Sequence, residues 1–174
     1  MKKLNRLVYT ALCLALLVVI QAVTKPLGQL VTGSLVNTIL VVTTLTAGFY
    51  GGIAVALISP FAAFVFGIGT PFLLIVPMIA LGNAVLVSVY AAVFRRIKLN
   101  DYYKWGISVP VAALCKFIVL YLGIVKIILP NLGETEQKIA ALSATFSFPQ
   151  LITAVVGGVL AFIIVPAMKK ALKI

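Results

Sequence analysis

Ile107–Leu129 reads ISVPVAALCKFIVLYLGIVKIIL, an almost unbroken apolar run interrupted in its middle by Lys116. A helix at a water-facing surface keeps a polar face, and this run has none. A membrane-spanning helix needs roughly 17–25 mainly apolar residues to cross the hydrocarbon layer. The stretch therefore reads as a membrane span with a cation at bilayer depth, where a charge is costly and marks a functional site by default.

Five further stretches match it: about 7–23, 30–49, 52–68, 72–94 and 146–168. Turn chemistry separates them. Lys25-Pro26 ends the first; Gly48, Gly51 and Gly52 divide the second from the third; Gly67, Gly69 and Pro71 divide the third from the fourth. A basic loop over 95–104 precedes 107–129, and Pro130-Asn131-Leu132-Gly133 follows it. Pro60 lies mid-way along the third stretch and removes a helical hydrogen bond, so that span is expected to be kinked or partly re-entrant. Composition agrees: 63% of the 174 residues are hydrophobic and 10% charged, against roughly 45–50% and about 25% in soluble domains. The expected fold is a single all-α integral membrane domain over residues 1–174, a bundle of six transmembrane helices.

The cations orient it. Lys2, Lys3, Arg6, Arg95, Arg96, Lys98, Lys104, Lys169, Lys170 and Lys173 fall on one side when six spans are threaded, which is ten of the 14. Cytoplasmic loops carry the excess of Lys and Arg, so both N-terminus and C-terminus are expected in the cytoplasm of a bacterial-type cell membrane. Tyr102, Tyr103 and Trp105 fit an aromatic belt at that inner interface. The N-terminal apolar run is longer than a usual signal-peptide core and leads into more spans, so it reads as a retained helix. Residues 134–144 put apolar side chains at helical spacing behind Glu134, Glu136 and Lys138. They predict a short amphipathic helix outside, either a solvated connector or a lid.

Several classes fall away. The net charge of +11 lies at span ends, not in a stripe with interleaved aromatics, so nucleic acid is not the expected partner. The sequence contains no histidine, which removes the usual triads and the commonest metal ligand; no catalytic residue, metal site or cofactor is expected. No G-x-x-x-x-G-K-[ST] loop occurs, so the chain is not expected to hydrolyse ATP itself. Cys13 and Cys115 lie in apolar runs without partner ligands and read as packing residues. No internal repeat signals an inverted-repeat transporter.

The remaining informative residues are polar groups at membrane depth. Lys116 leads, because no span contains an acidic residue to neutralise it. It reads either as the partner of a ligand carboxylate or phosphate or as a lysine snorkelling to an interface. Lys126, near the outer end of the same span, reads as a snorkelling lysine. Asn83 is mid-span and offers an amide either to a ligand or to a neighbouring helix. Asn37, Ser34, Gln150 and Tyr121, with Gln21 and Gln29, gather in the outer half. A cavity open to the outside accounts for them, and so does ordinary interfacial polarity. Ala11 and Ala15 form a small-x-x-x-small face suited to close helix approach.

Taken together, the chain resembles the substrate-binding S components of energy-coupling factor (ECF) vitamin transporters along essentially its whole length. Ala11-Leu12-Cys13-Leu14-Ala15 is similar to that family's A-x-x-x-A pattern. Thr32-Gly33-Ser34-Leu35-Val36-Asn37, followed by Ala47-Gly48-Phe49-Tyr50-Gly51-Gly52, resembles its second helix and turn. Ile79-Ala80-Leu81-Gly82-Asn83 resembles its fourth-helix G-N motif. The resemblance implies a subunit that captures a water-soluble vitamin or related micronutrient in an outward cavity. It implies that the Ala11 and Ala15 face meets a membrane coupling subunit driven by two ATPase subunits. It makes Asn83, Lys116 and Gln150 candidate ligand contacts, and Lys116 without a carboxylate partner points to an anionic ligand. Two other functions stay open on the residues: a self-sufficient small secondary transporter or channel, and a non-transporting membrane interaction protein.

Overall fold

The computed structural model describes residues 3–172; Lys2 and Lys173, counted above among the orienting cations, lie outside the described residues. All the regular secondary structure among the described residues is helical, with no strand among them. Helix α1 runs Lys3–Thr24 and yields to a short 3-10 turn, Lys25–Leu27, where Pro26 starts a new register. Gly28, at φ 86, then turns the chain into α2, Gln29–Thr46; Gly48, at φ 97, does the same before α3, Phe49–Val65. Both angles lie in the left-handed region that glycine enters without a Cβ penalty. Helix α4 spans Val76–Arg96, so residues 72–75 of the fourth apolar stretch form turns ahead of it.

Helix α5 spans Asp101–Leu120, capped by Asn100, whose side chain accepts a hydrogen bond from the Tyr102 N–H. It continues as a π-helical segment, Tyr121–Ile128, and a 3-10 turn, Leu129–Asn131. The amphipathic stretch forms α6, Glu136–Thr145, and α7 runs Phe148–Leu172.

Helix α2 is the centre of the bundle and packs on α1, α3, α4 and α7; α4 lies between α3 and α5, and α5 also packs on α7. A threonine-rich helix is buried here without penalty because its hydroxyls bond backwards. Thr38, Thr43, Thr44 and Thr46 each donate to the carbonyl four residues earlier, at 2.6–2.8 Å. Two glycines on α7 bring it close to α2 and α5. A Cβ on Gly157 would lie 2.5 Å from the Asn37 Cβ, and one on Gly158 would strike the Tyr90 hydroxyl and Val109. The outer faces are apolar: Leu12, Leu16 and Val19 on α1, Val111 and Ile118 on α5 and Ile163 on α7 are all exposed. Such surfaces are solvated by lipid tails as readily as by protein.

Five helical stretches are long and apolar enough to cross a membrane: Lys3–Leu27, Gln29–Thr46, Val76–Arg96, Asp101–Asn131 and Glu136–Ala171. Helix α3 is apolar but shorter, at 17 residues, and runs unbroken through Pro60. One expectation is overturned. Trp105 is not a belt residue; it is 6% exposed and packs edge-on against Tyr90, Phe94 and Phe162. The belt geometry is left to Tyr102 and Tyr103, which are exposed. Trp105 is in the first turns of α5, and the face it shares with Ser108 and Ala112 is the one turned into the bundle.

Candidate functional site

At the end of the bundle where α1 meets α2, α3 meets α4 and α6 meets α7, a cavity of about 300 Å³ opens between the helices. Its floor is a lysine. The Lys116 ammonium is 3% exposed and donates to two side-chain amides, Asn37 Oδ1 at 2.6 Å and Asn83 Oδ1 at 2.7 Å. These are short, charge-assisted bonds. They draw together three helices that are distant in sequence: α2, α4 and α5.

The bonds also orient the amides. A lysine can only donate, so both carbonyl oxygens face it and both Nδ2 groups face away. Asn37 Nδ2 donates to Thr153 Oγ1 at 3.3 Å, and Thr153 Oγ1 in turn donates to the Gln150 carbonyl at 3.1 Å. Asn83 Nδ2 makes no hydrogen bond to any described residue, and neither does the third N–H of Lys116. Both residues line the cavity. Two donors, one of them cationic, are thus left for whatever enters.

No carboxylate lines the cavity, so the charge is solvated by dipoles alone. Removing an ammonium from water costs several kcal/mol even after relaxation. Two amide oxygens recover part of that. The remaining wall is mixed. Gln21, Gln29 and Thr32 are polar, while Val36, Val76, Ile79 and Phe146 are apolar. Phe146 is the single aromatic residue on the wall, so a broad aromatic ligand has little to stack on.

The mouth is built from three connections. Lys25 Nζ donates to the Gly67 carbonyl at 2.7 Å, tying the α1–α2 turn to the α3–α4 turn. Ile68, Gly69, Thr70 and Pro71 of the latter line the cavity, and Leu142 and Thr145 of α6 cover it from the third side.

Of the residues singled out from sequence, Asn37, Asn83, Lys116 and Gln150 therefore meet at one cavity. Ser34 does not: it is buried against α7, its hydroxyl donating to the Leu30 carbonyl at 2.6 Å. Nor does Tyr121, which stacks on Phe117 and lies under the Lys126 ammonium, 5.5 Å from its ring centre. Ala11 and Ala15 are exposed on the outer face of α1. Thr153 was not legible as a site residue, because a lone threonine in an apolar helix ordinarily bonds its own backbone. Its position one turn beyond Gln150 is the signal that links it to the cavity.

A bundle of membrane-length helices around a polar-floored cavity defines a multi-pass membrane protein built to hold a small solute. The family model described as "ECF transporter, substrate-specific component" matches residues 5–168, and the chain belongs to that family. Members are membrane substrate-binding subunits of ECF transporters rather than enzymes, and the family implies association with the membrane and ATPase components of that transporter. No curated protein and no solved structure matches the chain.

Proposed function

We propose that this chain is the capture subunit of an ECF importer for a small anionic micronutrient, a water-soluble vitamin or a vitamin precursor carrying a carboxylate or phosphate. The observation that carries this reading is the Lys116 ammonium, buried, held by two neutral amides and turned to a cavity without a carboxylate. In this reading the protein is one domain that crosses the cell membrane of a bacterium six times, α3 included, with both termini in the cytoplasm. The cations support the orientation: Arg6, Arg95, Lys104 and Lys169 gather at the end opposite the cavity. The cavity then faces outward, and ATP hydrolysis by partner subunits drives uptake.

Thermal unfolding of the purified protein against a panel of vitamins and precursors tests the reading. A carboxylate- or phosphate-bearing member should raise the melting temperature in proportion to the logarithm of its concentration above Kd. A panel in which only cationic or uncharged compounds stabilise the protein would overturn the anionic assignment.

The Ala11 and Ala15 face is proposed as the contact with the membrane coupling subunit. It supports that role by being exposed and by letting another helix approach closely. Ala11→Trp/Ala15→Trp should abolish ATP-driven uptake in cells expressing all subunits while ligand binding by the isolated protein stays within about twofold, since neither residue lines the cavity.

A further inference from the structure

At the end of the bundle away from Lys116, a second and larger cavity of about 640 Å³ lies between α1, the α2–α3 turn, α4, α5 and α7. Five cations line it, Lys3, Arg6, Arg95, Lys104 and Lys169, beside three threonines, Thr10, Thr44 and Thr46, whose hydroxyls donate to their own helix backbones. One carboxylate, Asp101, shares the wall, and it is paired with Lys104 at 3.0 Å. The Lys104 and Lys169 ammonium groups stand 5.8 and 6.0 Å from the centre of the Phe94 ring, which holds both against the cavity wall. The first turn of α3, Phe49 to Gly51, lines the same space, and its N-cap Gly48 supplies no side-chain acceptor. Backbone N–H groups there add to the positive potential.

The positive-inside bias accounts for cations at this end but not for their convergence. Arg96, Lys98 and Lys170 lie at the same end and are exposed without lining the cavity. With Asp101 paired to Lys104, four cations around one opening are left without a carboxylate partner on its wall, and their mutual repulsion is relieved by an anion with several oxygens. The opening also has an apolar edge. Leu7, 68% exposed, and Tyr50, 83% exposed, line it beside the cations. A free anion has no use for those two side chains, whereas an amphiphile does.

We infer that this cavity is a binding site for the phosphate headgroup of an anionic phospholipid, whose first acyl carbons lie along Leu7 and Tyr50. Phosphate is the shared chemistry, and a lipid headgroup is the source the apolar rim selects. Occupancy would fix the ends of α1, α4 and α7 against the α2–α3 turn.

Titration of the detergent-solubilised full chain with short-chain phosphatidylglycerol, the matching phosphatidylcholine, inorganic phosphate and an acidic polyglutamate peptide tests this. Binding is read by melting temperature and by native mass spectrometry. Phosphatidylglycerol should bind saturably and stabilise, phosphatidylcholine and inorganic phosphate far less. Arg6→Gln/Lys169→Gln should weaken phosphatidylglycerol by about twenty-five-fold, at roughly fivefold per cation near a charged headgroup. Arg96→Gln/Lys98→Gln removes the same charge from the same end and should leave affinity within about twofold. If the first double variant lowers the melting temperature without lipid, the single changes Arg6→Gln and Lys169→Gln replace it, each expected to cost about fivefold. Equal losses in both double variants would reduce the effect to general charge and overturn the site. Inorganic phosphate binding as tightly as the lipid, or the peptide binding in its place, would overturn the lipid assignment.

Discussion

Lys116→Met is expected to weaken binding of the stabilising anion by about a hundredfold, measured by isothermal titration on the purified protein. Methionine keeps the length and apolar stem of lysine and removes the charge. In the wild-type protein the ligand anion would meet an ammonium already stripped of water and held by Asn37 and Asn83 at 2.6 and 2.7 Å. Truncating one partner of a buried, hydrogen-bonded charge pair costs about 2–5 kcal/mol of binding, and a hundredfold is about 2.7 kcal/mol. The fold itself should survive. The variant loses a desolvated charge, and the amide oxygens it frees face a cavity that admits water. A ligand that binds Lys116→Met as tightly as wild type would place its anionic group elsewhere and remove the basis of the proposed specificity.

Asn83→Leu is expected to destabilise the ligand-free protein by about 3 kcal/mol, because it leaves the buried ammonium with a single amide acceptor. The cost belongs to the charge, not to the lost asparagine. Asn83→Leu/Lys116→Met should therefore recover most of it, giving a coupling energy of about 2 kcal/mol in a double-mutant cycle. Equilibrium unfolding in mixed micelles reads all four proteins. Additive effects would mean that the short contact between Lys116 and Asn83 carries little energy. The same asparagine also presents Nδ2 toward the cavity, so in the single variant ligand affinity should fall with stability.

Much of this protein was legible because the membrane makes its demands locally. The 107–129 run announced a helix by length and apolarity alone, and Gly48 and Pro26 marked turns that the chain indeed makes. The Ala11 to Ala15 and Gly82-Asn83 motifs pointed to a family whose model covers residues 5–168. Trp105 was misread because an aromatic residue near a basic loop is equally suited to an interface and to a core. The choice was made by Tyr90, Phe94 and Phe162 closing around it. Tyr121 and Ser34 looked as polar and as well placed in depth as Asn37. Depth along a helix can be counted from the sequence, but rotation relative to neighbours cannot.

The sequence by itself determined the class: apolar runs of spanning length, cations gathered at their ends, and a lysine with no acidic residue within any of the apolar runs. Each of these is a property of one segment, set by the cost of putting polar groups in hydrocarbon. Only the tertiary structure decided that Lys116 turns inward to Asn37 and Asn83 and does not snorkel out along its stem. That outcome depends on close approaches between helices, such as Gly157 against Asn37 and Gly82 against Leu120, which set the rotation of α2, α4, α5 and α7. A lysine's partners are chosen by that packing, and packing is a property of pairs of helices that no single segment carries.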